Sequence, residues 1–314
     1  MKIVFMGTPE HAAKILADLI ESKHEILCVI TQPDRPRGRG LKISAPPVKE
    51  LAQKQGLRVE QPEKAKDGSL AQLLKELKPE IVVVVAYGKI LPKEVLDIPK
   101  YGCVNIHASL LPKYRGAAPV QWALLNGEKE TGVTLMNMNE LLDAGEIILQ
   151  KKIKIQDEDN AVALSKKLFD LGGRLLLDGL EQISKGTSRF IPQQEAQATN
   201  APSIKKESAE IDWRKSAQQI HNRVRAMIPW PVAHTFYKKQ QLRILKSELN
   251  VLDLETKRKL PGTIVQIVKN EGFIVATGNG HLLIQAVQPA GKKKMKAYDF
   301  VIGHDVKIGE VLPN

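Results

Sequence analysis

The chain has 314 residues, 43% of them hydrophobic, with 47 Lys and Arg against 35 Asp and Glu and a formal charge of +12. That length suits two domains with ordinary packed cores, and the basic balance points to a polyanionic partner or to a solvated basic surface. Two cysteines, Cys28 and Cys103, both within apolar runs, exclude a disulfide framework and a cysteine-built metal cluster.

The opening KIVFMG reads as a buried strand, and PEHAAKILADLIES as a helix opened by Pro9, with Ala12, Ile15, Leu16 and Leu19 on one face. The first turn lacks the Gly-x-Gly-x-x-Gly of a dinucleotide site. Gly7 stands alone there as a strand-to-helix turn whose backbone can line a site, and nicotinamide chemistry is set aside. EILCVIT is a second strand, PPVKELAQKQG a helix closed by Gly56, and SLAQLLKELK a third helix. EIVVVVAYG reads as a central strand buried on both faces, and GCVNIHAS and GVTLMNM as further strands. A long helical pattern follows Asn160. Alternating strands and helices predict a Rossmann-like α/β domain, a mostly parallel twisted sheet with helices on both faces.

The pattern changes near Gly186, and the sequence divides into a catalytic domain over 1–187, a Pro-, Gln- and Ser-rich linker over 188–206, and a C-terminal domain over 207–314. SAQQIHNRVRAM is helical, and the tail alternates around turn signals at residues 270–272 and 278–280, which predicts a small OB-like β-barrel of the kind that binds oligonucleotides. From Lys205 onward there are 19 Lys and Arg against 10 acids, so most of the positive excess lies in this tail.

The longest apolar run, IVVVVAY from Ile81, is too short to cross a bilayer, and MKIVFMGTPE lacks the apolar core of a secretion signal. The expectation is a soluble, cytoplasmic protein with no membrane association.

Chemistry concentrates in NIHASLLPKYRG, residues 105–116. Asn105 and His107 are two apart on a strand and so share a face. An Asn amide and a His can together donate to an oxygen that gains negative charge, and a His can pass a proton near neutral pH. Asp143, in MNMNELLDAGEII, can orient His107 or accept a proton. Taken singly, each has a bland alternative: a structural Asn, a satisfied core His, a turn Asp. The segment QPDRPRGRGLK, residues 32–42, is long, Arg- and Gly-rich and poor in apolar residues, a candidate lid over a nucleic-acid end, with Arg37, Arg39 and Lys42 as cations. Lys205, Lys206 and the GKKKMK run with Lys292, Lys293 and Lys294 are further candidate phosphate contacts.

NIHASLLPKYRG and the LLDAG loop together resemble the 10-formyltetrahydrofolate-dependent formyltransferases, and GTPE, TQPDRPRGRG, SAPPVKELA, VVVAYGKILP, ETGVTLMNMNELLDAG, IDW, IPWP and VQPAGKKKM extend that likeness over nearly the whole chain. The resemblance implies formyl transfer from 10-formyltetrahydrofolate to the α-amino group of initiator methionyl-tRNA, with Asn105, His107 and Asp143 catalytic and no metal required. It also implies that Ser109, Leu110, Leu111 and Pro112 touch the folate, with Ala86, Tyr87 and Gly88 covering its other side, and that Arg39 reads the end of the acceptor arm. Formyl transfer to a sugar nucleotide or to glycinamide ribonucleotide is the alternative within the class. An RNA-binding protein with an idle formyltransferase fold is the alternative outside it.

Overall fold

The computed structural model describes residues 1–37, 42–249 and 259–313. In chain order the elements are β1 (Lys2–Gly7), α1 (Glu10–Ile20), β2 (Glu25–Ile30), β3 (Arg35–Arg37), β4 (Lys42–Ser44), α2 (Pro47–Lys54), β5 (Val59–Glu60), α3 (Ser69–Leu77), β6 (Ile81–Val85), α4 (Lys93–Leu96), β7 (Cys103–His107), α5 (Pro119–Leu125), β8 (Glu130–Asn137), β9 (Ile147–Lys154) and α6 (Ala161–Ser184). There follow α7 (Ala217–Ala226), β10 (His234–Tyr237), β11 (Gln240–Glu248), β12 (Ile264–Val268), β13 (Gly272–Ala276), β14 (His281–Pro289), β15 (Met295–Lys296) and α8 (Ala297–His304).

The chain forms two compact units. The first comprises Met1–Pro119, Glu130–Lys154 and Ser165–Pro202; the second comprises Val120–Lys129, Ile155–Leu164 and Ser203–Asn314.

In the first unit seven strands form one sheet in the order β5-β2-β1-β6-β7-β8-β9. β6 is five consecutive β-branched residues, all buried, as a central strand covered on both faces requires. β1 pairs in parallel with both β2 and β6, so the strand order reverses at β1 and a crevice opens beyond the carboxyl ends of β1 and β6. α1 buries Ala12, Ala13, Ile15, Leu16 and Leu19, a stripe of helical period. The sheet is not parallel throughout: β7–β8 and β8–β9 are antiparallel. β9 escapes the sequence reading because its burial is shallow, with Lys151, Lys152 and Lys154 among its residues.

Alternation along β7 separates chemistry from packing. Ile106 points to α6, where a Cβ built on Gly172 would lie 3.0 Å from its Cγ2; Asn105 and His107 point to the other face. The glycines of α6 let that helix lie close on the sheet, and Gly179 likewise faces Leu135.

The second unit holds a six-stranded antiparallel sheet with path β10-β11-β14-β13-β12, β15 pairing β14. Trp213, Ile220, Phe273 and Ile284 lie in its core. Ser216 and Gln219 form a reciprocal capping box that starts α7. Residues 155–159 group with this unit because the buried Arg225 of α7 donates to the carbonyls of Gln156, Asp157 and Asp159. Residues 188–206 do not behave as one uniform linker: 188–202 belong to the first unit and 203 onward to the second. Among the described residues no helix is long and apolar enough to cross a membrane.

Gly172→Leu is expected to lower stability by about 2 kcal/mol, because the added atoms must displace Ile106 and neighbouring side chains from a close-packed face. Urea unfolding measures it; an unchanged midpoint would show that α6 does not press on β7 as described.

Candidate active site

His107 ends β7, 6% exposed. Its Nε2 lies 2.8 Å from the Tyr114 carbonyl oxygen. A carbonyl only accepts, so Nε2 carries the hydrogen. Nδ1 is therefore the nitrogen left to face Asp143, whose Oδ2 is 3.6 Å away. Both side chains are largely shielded, at 7% and 11% exposure, so a charge on either is felt strongly by the other. Asn105 is half-buried on the same face of the strand. The structure thus brings His107 and Asp143 together and sets Asn105 one strand repeat away.

Asp143 sits in the loop between β8 and β9 with φ 50°, left-handed for a residue that carries a side chain. Its Oδ2 accepts the backbone N–H of Gly116 at 2.9 Å. Two residues on, a Cβ at Gly145 would fall 1.7 Å from the Asn137 carbonyl oxygen, so only glycine fits where the loop crosses the end of β8. Just before Asp143, Leu141 and Leu142 are each 67% exposed, apolar surface beside a shielded carboxylate.

The turn after His107 is fastened from below. Ser109 Oγ donates to the Lys113 carbonyl at 2.6 Å. Thr134 Oγ1 donates to the Ser109 carbonyl at 2.6 Å and accepts the Leu111 N–H at 3.1 Å and the Gln150 side-chain N–H at 2.9 Å. Ser109 and Leu111 are consequently buried, while Leu110 and Pro112 remain half-buried. Thr134 and Gln150 gave no sequence signal, since one lies in an ordinary strand pattern and the other in the strand that was missed.

A second feature occupies the crevice at the β1/β6 reversal, a cleft of about 610 Å³. Ala86, Tyr87 and Gly88 line it together with Thr8, Gln32, Arg35 and Ser44. Thr8 Oγ1 and Gln32 Nε2 both donate to the Tyr87 carbonyl, at 3.1 and 3.0 Å. Ala86 and Gly88 take positive φ, 46° and 83°, which turns the chain sharply out of β6. Burial pushes the Tyr87 hydroxyl up to about 12. Burial also lowers Lys89, with Arg35 acting in the same direction. Gly7 is packed tightly here: a Cβ would lie 2.8 Å from Phe5 and 2.9 Å from Val85 O.

At the two described ends of the Arg-rich segment, β3 and β4 pair antiparallel, with Arg37 opposite Lys42. Arg39 lies outside the described residues. Lys205 and Lys206 are exposed near the start of the Ser203–Asn314 stretch of the second unit, and Lys292, Lys293 and Lys294 are exposed in the turn between β14 and β15.

Two family models match: formyl transferase over residues 1–180, and formyl transferase, C-terminal domain, over residues 203–305. The chain is 50% identical over 307 residues to a methionyl-tRNA formyltransferase of Thermodesulfovibrio yellowstonii, covering 98% of this chain and 97% of that protein. Among solved structures it is similar to HypX from Aquifex aeolicus in complex with tetrahydrofolic acid, with TM-score 0.65 and 18% identity; the match covers 96% of this chain and spans 47% of that one. It is also similar to WlaRD, a sugar 3N-formyl transferase in the presence of dTDP and 5-N-formyl-THF, with TM-score 0.67 and 21% identity over 93% of this chain and 99% of that one. The chain belongs to the formyl transferase family.

Thr134→Val removes the hydroxyl that ties the 109–111 turn to β8 and leaves buried polar groups unpaired. It is expected to cost about 2 kcal/mol of stability, read by urea unfolding. A loss below about 0.5 kcal/mol would mean that the turn is held by other contacts.

Proposed function

We propose that this chain transfers the formyl group of 10-formyltetrahydrofolate to the α-amino group of initiator methionyl-tRNA. The observation that carries the reading is the shielded contact of His107 Nδ1 with Asp143 Oδ2 at 3.6 Å, in a chain with both domains of the formyl transferase family. The fold is shared with a sugar formyltransferase at low identity, so the fold alone does not choose the acceptor. The full-length likeness to a methionyl-tRNA formyltransferase does favour one.

The aminoacyl amine attacks the formyl carbon, and the carbonyl oxygen gains charge. With Nε2–H committed to Tyr114 O, a proton on Nδ1 is the one available to the site. It can stabilise the developing oxyanion, with the Asn105 amide as the second donor. Asp143 lies beside the imidazole and takes the proton that the attacking ammonium must lose. Its carboxylate can do this without swinging because the Gly116 N–H already fixes Oδ2. The tetrahedral centre then collapses, and the folate N10 leaves with the electron pair and takes up the proton held by Asp143. Folate supplies a formyl group activated by its attachment to nitrogen. Leu110, half-buried, and the exposed Leu141 and Leu142 offer the apolar surface that a flat pterin requires, with Ser109, Leu111 and Pro112 shaping that turn.

The cleft lined by Ala86, Tyr87 and Gly88 is assigned to the folate's other side: its walls mix prolines with Arg35 and Lys89, apolar surface beside positive charge. Arg37, Arg39 and Lys42 of the Arg-rich segment and the lysines at 205, 206 and 292–294 are assigned to phosphate and base contacts of the tRNA. Residues 1–187 form the catalytic part and 207–314 the tRNA-holding part in this reading.

Asp143→Asn and His107→Ala should each reduce turnover by about a hundredfold or more while leaving the folded state intact. Circular dichroism and single-turnover formylation of methionyl-tRNA measure the two. Ordinary turnover in either variant would remove the assignment.

A further inference from the structure

We propose that Gln193 is a positioning residue for the catalytic carboxylate, and that the stretch expected to be a bare linker is therefore part of the active site. The proposal rests on the reading of Asp143 given above. Gln193 Nε2 donates to the carbonyl of Asp143 at 2.9 Å and to that of Gly145 at 2.7 Å. One amide thus bridges two carbonyls on either side of Ala144 and fixes the peptide that follows Asp143 together with the one that follows Gly145.

The bridge is itself held from behind. Gln193 Oε1 accepts from Arg115 Nε at 3.0 Å and Nη2 at 2.9 Å. Arg115 also makes a two-pronged pair with Glu195, at 3.0 and 2.7 Å. Oε1 facing two guanidinium hydrogens leaves only one orientation for the amide, with Nε2 toward the loop. Gln193 is half-buried in a run of otherwise exposed residues from 189 to 197.

The need for such a bridge follows from the loop. A left-handed Asp is unfavourable by itself and persists only where its surroundings over-determine it. Gly116 N–H restrains the carboxylate end and the crowded Gly145 restrains the chain. Gln193 restrains the peptide between. A small rotation there would swing Oδ2 away from His107 without disturbing any core.

The effect of removing Gln193 is local. Ile147 and Ile191 exchange backbone hydrogen bonds at 2.8 and 2.9 Å, and Arg115 exchanges them with Thr199 and Ala201. Residues 191–201 therefore stay docked without the Gln193 side chain.

The test uses the full chain with methionyl-tRNA and 10-formyltetrahydrofolate, comparing Gln193→Ala, Gln193→Glu, Asp143→Asn and Gln193→Ala/Asp143→Asn. Gln193→Glu keeps an acceptor for Arg115 but cannot donate to the two carbonyls, so it separates positioning from tethering even if Gln193→Ala folds poorly. Both Gln193 variants should lose between about tenfold and a hundredfold in kcat, with each KM within about twofold of the parent. In the Asp143→Asn background, Gln193→Ala should cost nothing further in kcat, as expected for a residue that acts through another. Undiminished kcat in Gln193→Glu, or a full second loss in the double variant, would overturn the proposal. If Asp143→Asn itself turned over normally, the site reading would fail instead, and the two failures are distinguishable.

Discussion

A carboxylate held against an imidazole, Asp143 Oδ2 at 3.6 Å from His107 Nδ1 and both shielded from water, sets the demands that the neighbouring chain meets. Shielding leaves little solvent to average out an error in placement. Each partner is accordingly fixed by a backbone group, the imidazole at its other nitrogen by Tyr114 O and the carboxylate at Oδ2 itself by Gly116 N–H. Both of those groups lie on the segment that follows β7, and that segment is bonded in turn to residues 199–201, including Arg115 N–H to Thr199 O at 2.8 Å and Ala201 N–H to Arg115 O at 2.6 Å. Gly116 has φ 120° with the Ala201 carbonyl where a Cβ would go, so the approach requires a glycine. The local strain at Asp143 is sustained by this framework and not by the loop itself.

The architecture was legible where burial imposes a period. Five consecutive β-branched residues announced the central strand, and the stripe on α1 announced a helix. Asn105 and His107 were legible because residues two apart on a strand share a face. That Asp143 would meet His107 was one of two readings of the residues, since its neighbours Ala-Gly read equally well as a turn, and the resemblance chose between them. The sequence was least informative where exposed polar residues do structural work. Residues 188–202 look like a linker because linkers and surface-bound straps share a composition; their backbone hydrogen bonds leave no trace in side-chain pattern. Strand β9 was hidden by its lysines, and the antiparallel turn of the sheet at β7–β8 went with it. Ser109 and Leu111 were assigned to ligand contact from a motif, whereas their burial shows how firmly that turn is built into the protein.

Charge and chemistry fall on different stretches of the chain. The candidate catalytic side chains lie within 105–143, and residues from 205 onward carry 19 cations against 10 acids. A small amino sugar would gain little from so basic a tail, whereas a polyanionic acceptor would gain affinity with each phosphate neutralised. The fold is shared with an enzyme named for sugar formylation, so the choice of acceptor is the central claim. The most direct measurement gives the purified full chain 10-formyltetrahydrofolate with initiator methionyl-tRNA and, in parallel, with a dTDP-linked amino sugar, and identifies the formylated product by mass spectrometry. The account predicts N-formylmethionyl-tRNA in the first reaction and no formylated sugar in the second. Formylation of the sugar with methionyl-tRNA left untouched would contradict it.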